Sequence, residues 1–165
     1  MRAASIFIVM GVSGCGKTTL AQKLAAVTGS EWLDADQFHT AENKAKMSAR
    51  IPLTDEDRWP WLDRLNGELQ TFAHAGKTVF LACSALKQVY RDRLAKGLPQ
   101  AKFIYLKGSF DVIHARLAQR KNHFMPAGLL ESQFATLEEP KDAIVLDTSR
   151  PENQLVEDFK RSVQT

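Results

Sequence analysis

Cysteine is scarce in this chain of 165 residues: Cys15 and Cys83 are the only two, and they form no C-x-x-C pair. That spacing excludes a disulfide framework and a cysteine-built zinc or redox centre, and both thiols are expected to be reduced. A redox switch at Cys15 is conceivable only with a lowered thiol pKa. Long apolar runs are also missing, so nothing reaches the roughly 20 residues of a membrane span. The apolar stretch after Met1-Arg2 superficially resembles a secretion signal, but it is cut short at Gly11. A cytoplasmic protein without a membrane partner is expected. Charge of one sign is lacking as well: 22 Lys and Arg stand against 19 Asp and Glu, a net +3. The cations are scattered, which argues against a nucleic-acid partner. His39, His74 and His114 show no metal-ligand spacing. No repeat, low-complexity tract or Pro/Gly-rich linker divides the chain, so residues 1–165 are expected to form one domain.

What is present is concentrated near the start. Gly11-Val12-Ser13-Gly14-Cys15-Gly16-Lys17-Thr18 satisfies every specified position of the phosphate-loop pattern G-x-x-x-x-G-K-[ST]. The pattern carries meaning only between a buried strand and a helix, and both flanks are here. Residues 6–10 are an apolar, β-rich run, and Leu20, Leu24 and Val27 repeat with the period of a half-buried helix. The glycines allow successive backbone N–H groups to turn inward around phosphate oxygens, and the helix adds its positive dipole end. Lys17 is expected to reach the β- and γ-phosphates, and the Thr18 hydroxyl to ligate Mg2+.

Further strand-like runs occur at residues 31–34, 78–83, 102–106 and 143–147, separated by helical stretches. Trp61, Leu62, Leu65, Leu69 and Phe72 make one helical stripe, and Val112, Ile113 and Leu117 a shorter one. This alternation predicts an α/β fold, a doubly wound parallel sheet of five strands. Ligands bind such sheets beyond the carboxyl ends of the strands. That rule selects residues 11–18, Asp34, Asp36, Ser84, Lys87, Lys107 and Thr148.

Asp34 and Asp36 leave the second strand on opposite faces if the pleat continues. One can serve Mg2+ while the other orients the attacking hydroxyl, because a loose phosphoryl transition state rewards positioning over proton abstraction. Arg116, Arg120, Lys121 and His123 gather at a helix end before Met125-Pro126-Ala127-Gly128, so residues 116–137 are expected to form a helical lid. Asp55, Glu56 and Asp57 suit the first turn of the Trp61 helix. Lys87 and Arg91 are expected on one helical face, able to neutralise a substrate carboxylate.

Taken together, the phosphate loop, Leu33-Asp34-Ala35-Asp36-Gln37-Phe38-His39, residues 51–62, Cys83-Ser84-Ala85-Leu86-Lys87 with Tyr90-Arg91-Asp92, residues 103–108 and residues 132–140 resemble the small bacterial gluconokinases, in order and over nearly the whole chain. The resemblance implies a P-loop kinase of nucleoside-monophosphate-kinase type, often a homodimer, that uses ATP and Mg2+ to phosphorylate D-gluconate at its 6-hydroxyl. It implies that Gly11, Val12, Ser13, Gly14, Cys15, Gly16, Lys17, Thr18 and Thr19 cradle ATP, with Arg116, Arg120, Thr148 and Pro151 also on the nucleotide. Asp34 would join Thr18 at the metal. Lys17, Asp36 and Arg120 would act in catalysis, and Asp36, His39, Arg58, Lys87, Arg91 and His123 would contact gluconate. Two departures stand out: Arg50 replaces a family glycine before Ile51-Pro52-Leu53, and Asn122 replaces a glycine in the lid. Arg50 either strains a left-handed turn or adds a cation near an acidic sugar.

Rival readings are weaker. A GTP-dependent switch lacks its Asn-Lys-x-Asp signature, since Asn43-Lys44-Ala45-Lys46 fails at its last position. A binding module without catalysis predicts loss of Lys17 or of the aspartate pair, and all three are present. Another small-metabolite kinase on the same fold would differ in the region 36–62.

Overall fold

The structure is a computed structural model that describes residues 5–119 and 127–164. Strand β1 (Ile6–Met10) is buried along its whole length. It can be so because β3 (Val79–Ala82) flanks it on one side and β4 (Ala101–Lys107) on the other, both parallel to it. β2 (Glu31–Asp34) and β5 (Ile144–Asp147) are the edges, giving the order β2-β3-β1-β4-β5. The expected strands therefore exist, with ends shifted by a residue or so.

Side-chain alternation feeds two cores. Phe7 and Val9 face a layer containing α1 (Lys17–Thr28) and α7 (Glu152–Val163), where Phe7 stacks on Phe80 at 5.0 Å and meets Phe159 edge-on at 5.2 Å. Ile6, Ile8 and Met10 face the opposite layer, built from α3 (Asp55–His74) and α4 (Gln88–Leu94). The stripe expected on α3 is the buried one: Trp61, Leu62, Leu65 and Leu69. A capping box starts α3, with Thr54 and Asp57 each bonding the other's backbone N–H. α5 (Phe110–Gln119) and α6 (Ala127–Thr136) flank the segment 120–126. Arg120, Lys121, Asn122, His123 and the expected break at Met125-Pro126 lie outside the described residues.

The short helix α2 (Ala41–Ser48) resolves the question posed by Arg50. Arg50 has φ 59°, and its N–H bonds to Met47 O at 3.1 Å while Ile51 N–H bonds to Lys46 O at 2.8 Å. These two bonds close a helix through a left-handed residue, the position glycine prefers. A side chain there costs about 1–2 kcal/mol, partly offset by the roughly 0.5–1 kcal/mol of extra chain entropy that glycine loses on folding. Arg50→Gly is therefore expected to raise the unfolding free energy by about 0.5–1 kcal/mol in urea titration. A decrease would show that the Arg50 side chain contributes more than its backbone strain costs.

Candidate active site

All five strands end at one edge, and the loop at residues 11–16 leaves the central strand there. The Gly11 N–H bonds to Ser84 O at 3.3 Å, tying the loop to the segment after β3. Gly11, Gly14 and Gly16 have φ of 148°, 83° and 97°. At Gly11 and Gly14 a Cβ would also collide with the Cys15 sulfur and with Leu117. Two constraints, conformation and space, thus demand glycine. The loop then enters α1 at Lys17, whose Nζ donates to Val12 O at 3.1 Å, so the ammonium already lies across the loop. Thr18 and Thr19 follow in the first turn of the helix.

Cys15 is directed into the core, 1% exposed, and burial raises its thiol pKa despite Lys17 nearby. The chemistry of a redox switch needs an exposed, acidified thiol, so that reading is withdrawn. Cys83 is likewise buried, with its thiol pushed up to about 12.

On the outer side of the loop, Cys15, Gly16, Thr19, Arg116, Gln119, Thr148, Arg150 and Leu155 line a cavity of about 380 Å3. Thr148 organises its wall. Fully buried, it donates to Cys15 O at 2.5 Å and accepts from Arg116 at 2.7 Å, while a second Arg116 nitrogen donates to the Thr148 carbonyl. Pro151 stands at the start of α7, between the lining residues Arg150 and Glu152. A larger surface groove of about 850 Å3 runs between α3 and α4, but it shares no residue with the loop.

The carboxylate pair lies beyond β2. The pleat does not continue past Asp34, contrary to the expectation of opposite faces. The chain turns instead into a short 3-10 helix, Ala35–Phe38, and Asp34 Oδ1 accepts the Asp36 N–H at 3.0 Å. Asp34 thereby caps this turn. The Asp36 side chain remains 76% accessible at the rim of the cleft. Surrounding protein and the Asp34 charge nevertheless raise its pKa, against the pull of Lys17. Among the described residues no three His, Cys, Asp or Glu side chains cluster as a cage for a metal. A Thr18 hydroxyl and one carboxylate fit a Mg2+ that takes its other oxygens from phosphates and water.

The expected acceptor residues divide. His39 is buried and stacks on Trp61 at 4.0 Å between centroids. Arg58 and Lys87 both approach the Tyr90 ring, at 5.2 and 5.5 Å, and Lys87 also pairs with Asp55 at 3.4 Å. Tyr90 O–H donates to that same Asp55 oxygen at 2.5 Å. Lys87 thus sits on the Asp55 carboxylate, while Arg58 reaches the same Tyr90 ring and donates to Leu53 O at 2.7 Å.

Arg91 does not share the helical face expected for it with Lys87. Lys87 is not in the helix at all but caps it with extended backbone. Arg91 turns inward, 2% exposed, and donates to Ala85 O, Leu86 O, Gln88 Oε1 and Glu138 O at 2.7–3.1 Å. Its two Nη groups brace the loop after β3, where Ala85 has the strained φ of 45°, against the segment after α6, while its Nε is buried without a hydrogen-bond partner. It acts as a strut between these two segments.

One residue not singled out from sequence enters the site. Gln133 of α6 accepts from Ser13 N–H at 2.6 Å and donates to Ser13 Oγ at 3.0 Å, a reciprocal pair spanning 120 positions. No local pattern signals such a contact.

A glycine-lined anion cradle on the central strand of a parallel sheet, with a lysine across it and two carboxylates beside it, defines a P-loop nucleotide-binding kinase fold. A family model described as an AAA domain matches residues 6–140. The thermosensitive gluconokinase of Escherichia coli K12 is 43% identical over 165 residues, covering 98% of this chain and 88% of that protein. The gluconokinase of Arabidopsis thaliana is 41% identical, covering 81% and 77%. Among solved structures, a sugar kinase from Janibacter sp. HTCC2649 superposes with a TM-score of 0.89 at 49% identity, covering 98% and 95% of the two chains. A gluconokinase from Sinorhizobium meliloti 1021 superposes with a TM-score of 0.85 at 38% identity, covering 96% and 90%. This chain belongs to the gluconokinase family.

Proposed function

We propose that the protein transfers the γ-phosphoryl group of ATP to the 6-hydroxyl of D-gluconate, forming 6-phospho-D-gluconate and ADP. The observation that carries this reading is the Asp34–Asp36 turn at the strand end beside the phosphate loop, in a chain 43% identical to a gluconokinase. Residues 11–19 hold the phosphates, and the cavity walled by Arg116 and Thr148, bordered by Pro151, takes the nucleoside. Thr18 and Asp34 would hold Mg2+, which would supply charge neutralisation for the phosphates. Lys17 follows the charge of the transferring group. Asp36 accepts a hydrogen bond from the acceptor hydroxyl, so that the C6 oxygen faces phosphorus as the bond to the ADP oxygen breaks. His39, Arg58 and Lys87 surround the polyol and its carboxylate. Arg120 and His123 belong to the same proposal, on a lid spanning residues 116–137. The whole chain works as one domain and assembles as a homodimer in the cytoplasm. No helix among the described residues is long and apolar enough to cross a membrane.

The reading is tested by initial rates of ADP release with Mg-ATP and D-gluconate, other sugar acids, shikimate, nucleoside monophosphates or no acceptor. A large rate with gluconate alone is expected. Background with gluconate and turnover with another acceptor would leave the nucleotide site standing and remove the substrate.

Gln133 supplies a separate check. Its amide holds the Ser13 peptide in place, so Gln133→Ala is expected to raise the apparent KM for ATP by about tenfold, the equivalent of one to two lost hydrogen bonds. The KM for gluconate should change by less. An unaltered KM for ATP would reduce the Gln133–Ser13 pair to packing.

A further inference from the structure

Asn43 is buried, at 2% exposure, and belongs to no element that touches the phosphate loop in sequence. Its amide nitrogen lies 2.8 Å from Asp57 O. A backbone carbonyl can only accept, which fixes which end of the amide is nitrogen. The same nitrogen lies 3.3 Å from His39 Nδ1. One N–H serves Asp57 and the other serves the imidazole, so Nδ1 accepts and the ring proton resides on Nε2. An imidazolium would set N–H against N–H.

One more contact holds the ring, and it is tied to the neighbouring turn. Trp61 stacks beneath it at an interplanar angle of 15°, and Trp61 Nε1 donates to Ala35 O at 2.8 Å, within the turn that carries Asp36. The stack and the carboxylate are therefore parts of one rigid unit. The groups facing the imidazole are Asp36 from that turn, Lys44 from α2 and Arg58 from α3. Asp57, also on α3, is already engaged by Lys46 at 2.8 Å and by the Thr54 N–H. Burial, with Arg58 and Lys44, lowers the His39 pKa to about 4, so the ring is neutral near pH 7.

His39 Nε2 lies 4.0 Å from Asp36 Oδ1. That is too long for a direct hydrogen bond. A hydroxyl oxygen set to one side of the line between them can lie about 2.8 Å from both atoms. It would accept from Nε2–H, donate its own proton to Asp36, and keep a lone pair free for phosphorus.

We infer that Asn43 is a positioning residue that holds His39 as a neutral Nε2–H donor, so that His39 and Asp36 grip the acceptor hydroxyl from two sides. This deepens the gluconate kinase reading and rests on it. A charged ring would pair with Asp36 and occupy the oxygen that the hydroxyl needs. The wrong tautomer would present a lone pair to Asp36, repelling it and offering the hydroxyl no donor. The role of Asn43 is thus exerted through His39, as second-sphere groups orient the imidazoles they bond.

The test has two arms on the full-length protein. Long-range 1H–15N correlation of the histidine rings, with His39 assigned by its disappearance in His39→Gln, is expected to show the neutral Nε2–H form at about pH 7 and at about pH 5.5. A Nδ1–H form or a charged ring at about pH 7 overturns the inference, whatever the substrate proves to be. In the second arm, Asn43→Asp offers His39 Nδ1 a carboxylate in place of a donor. The expected result is a fall in kcat/KM for gluconate of about tenfold or more, an apparent KM for ATP within about twofold of the parent, and a new inflection in the gluconate rate between about pH 6 and 8. Equal losses toward ATP and gluconate, or no loss at all, would contradict the role. If Asn43→Asp does not fold, Asn43→Ala carries the same kinetic comparison without the added charge, with a mixture of His39 tautomers expected. Failure of the gluconate reading itself would appear separately, as absence of turnover by the parent protein.

Discussion

Lys17→Ala lowers kcat by at least about a hundredfold, because it removes a charge directed at the transferring phosphoryl group in a preorganised site. The structure allows this effect to be separated from unfolding. Lys17 is only partly buried, its ammonium bonds to Val12 O within the loop, and alanine is favourable in the first turn of α1. Thermal denaturation should accordingly move by only a few degrees. Steady-state kinetics with Mg-ATP and gluconate makes the measurement, and near-normal turnover would refute the placement of the loop at the reacting phosphate.

Asp36→Asn produces the second large effect, a loss of about a hundredfold or more in transfer to gluconate with ATP affinity kept. Asparagine preserves the shape and leaves intact the bond from the residue 36 N–H to Asp34. It also removes the repulsion from Asp34 that raises the Asp36 pKa. Stability should therefore not suffer. The missing element is an acceptor able to orient the sugar hydroxyl, so the defect belongs in kcat. Equilibrium ATP binding beside single-turnover transfer separates the two possibilities. Loss of nucleotide affinity with transfer retained would mean that the roles of Asp34 and Asp36 are exchanged.

What could be read from the sequence was what local chemistry determines. Gly11 to Thr18 announce a phosphate cradle because each residue type has a steric or electrostatic reason, and the flanking periodicities are a few residues long. The strands and the α3 stripe were legible for the same reason. Arg91 misled because the rule of four presumes helical backbone at both positions, and Lys87 has φ −100° and ψ 149°. Arg50 left two readings open until its φ of 59° was known. Gln133 and Asn43 could not be read at all: the first meets Ser13 across 120 residues, and the second acquires its meaning from Asp57 O and His39 together. The sheet order was equally out of reach, since it depends on pairings between strands distant in the chain.

The central claim is that phosphorus moves from ATP to the C6 oxygen of gluconate. Product analysis by 31P–1H correlation after reaction with Mg-ATP tests it most directly. The account predicts one new phosphate monoester coupled to the C6 protons, formed in equal amount with ADP. Phosphate on another carbon, or inorganic phosphate released while gluconate stays unchanged, would contradict it.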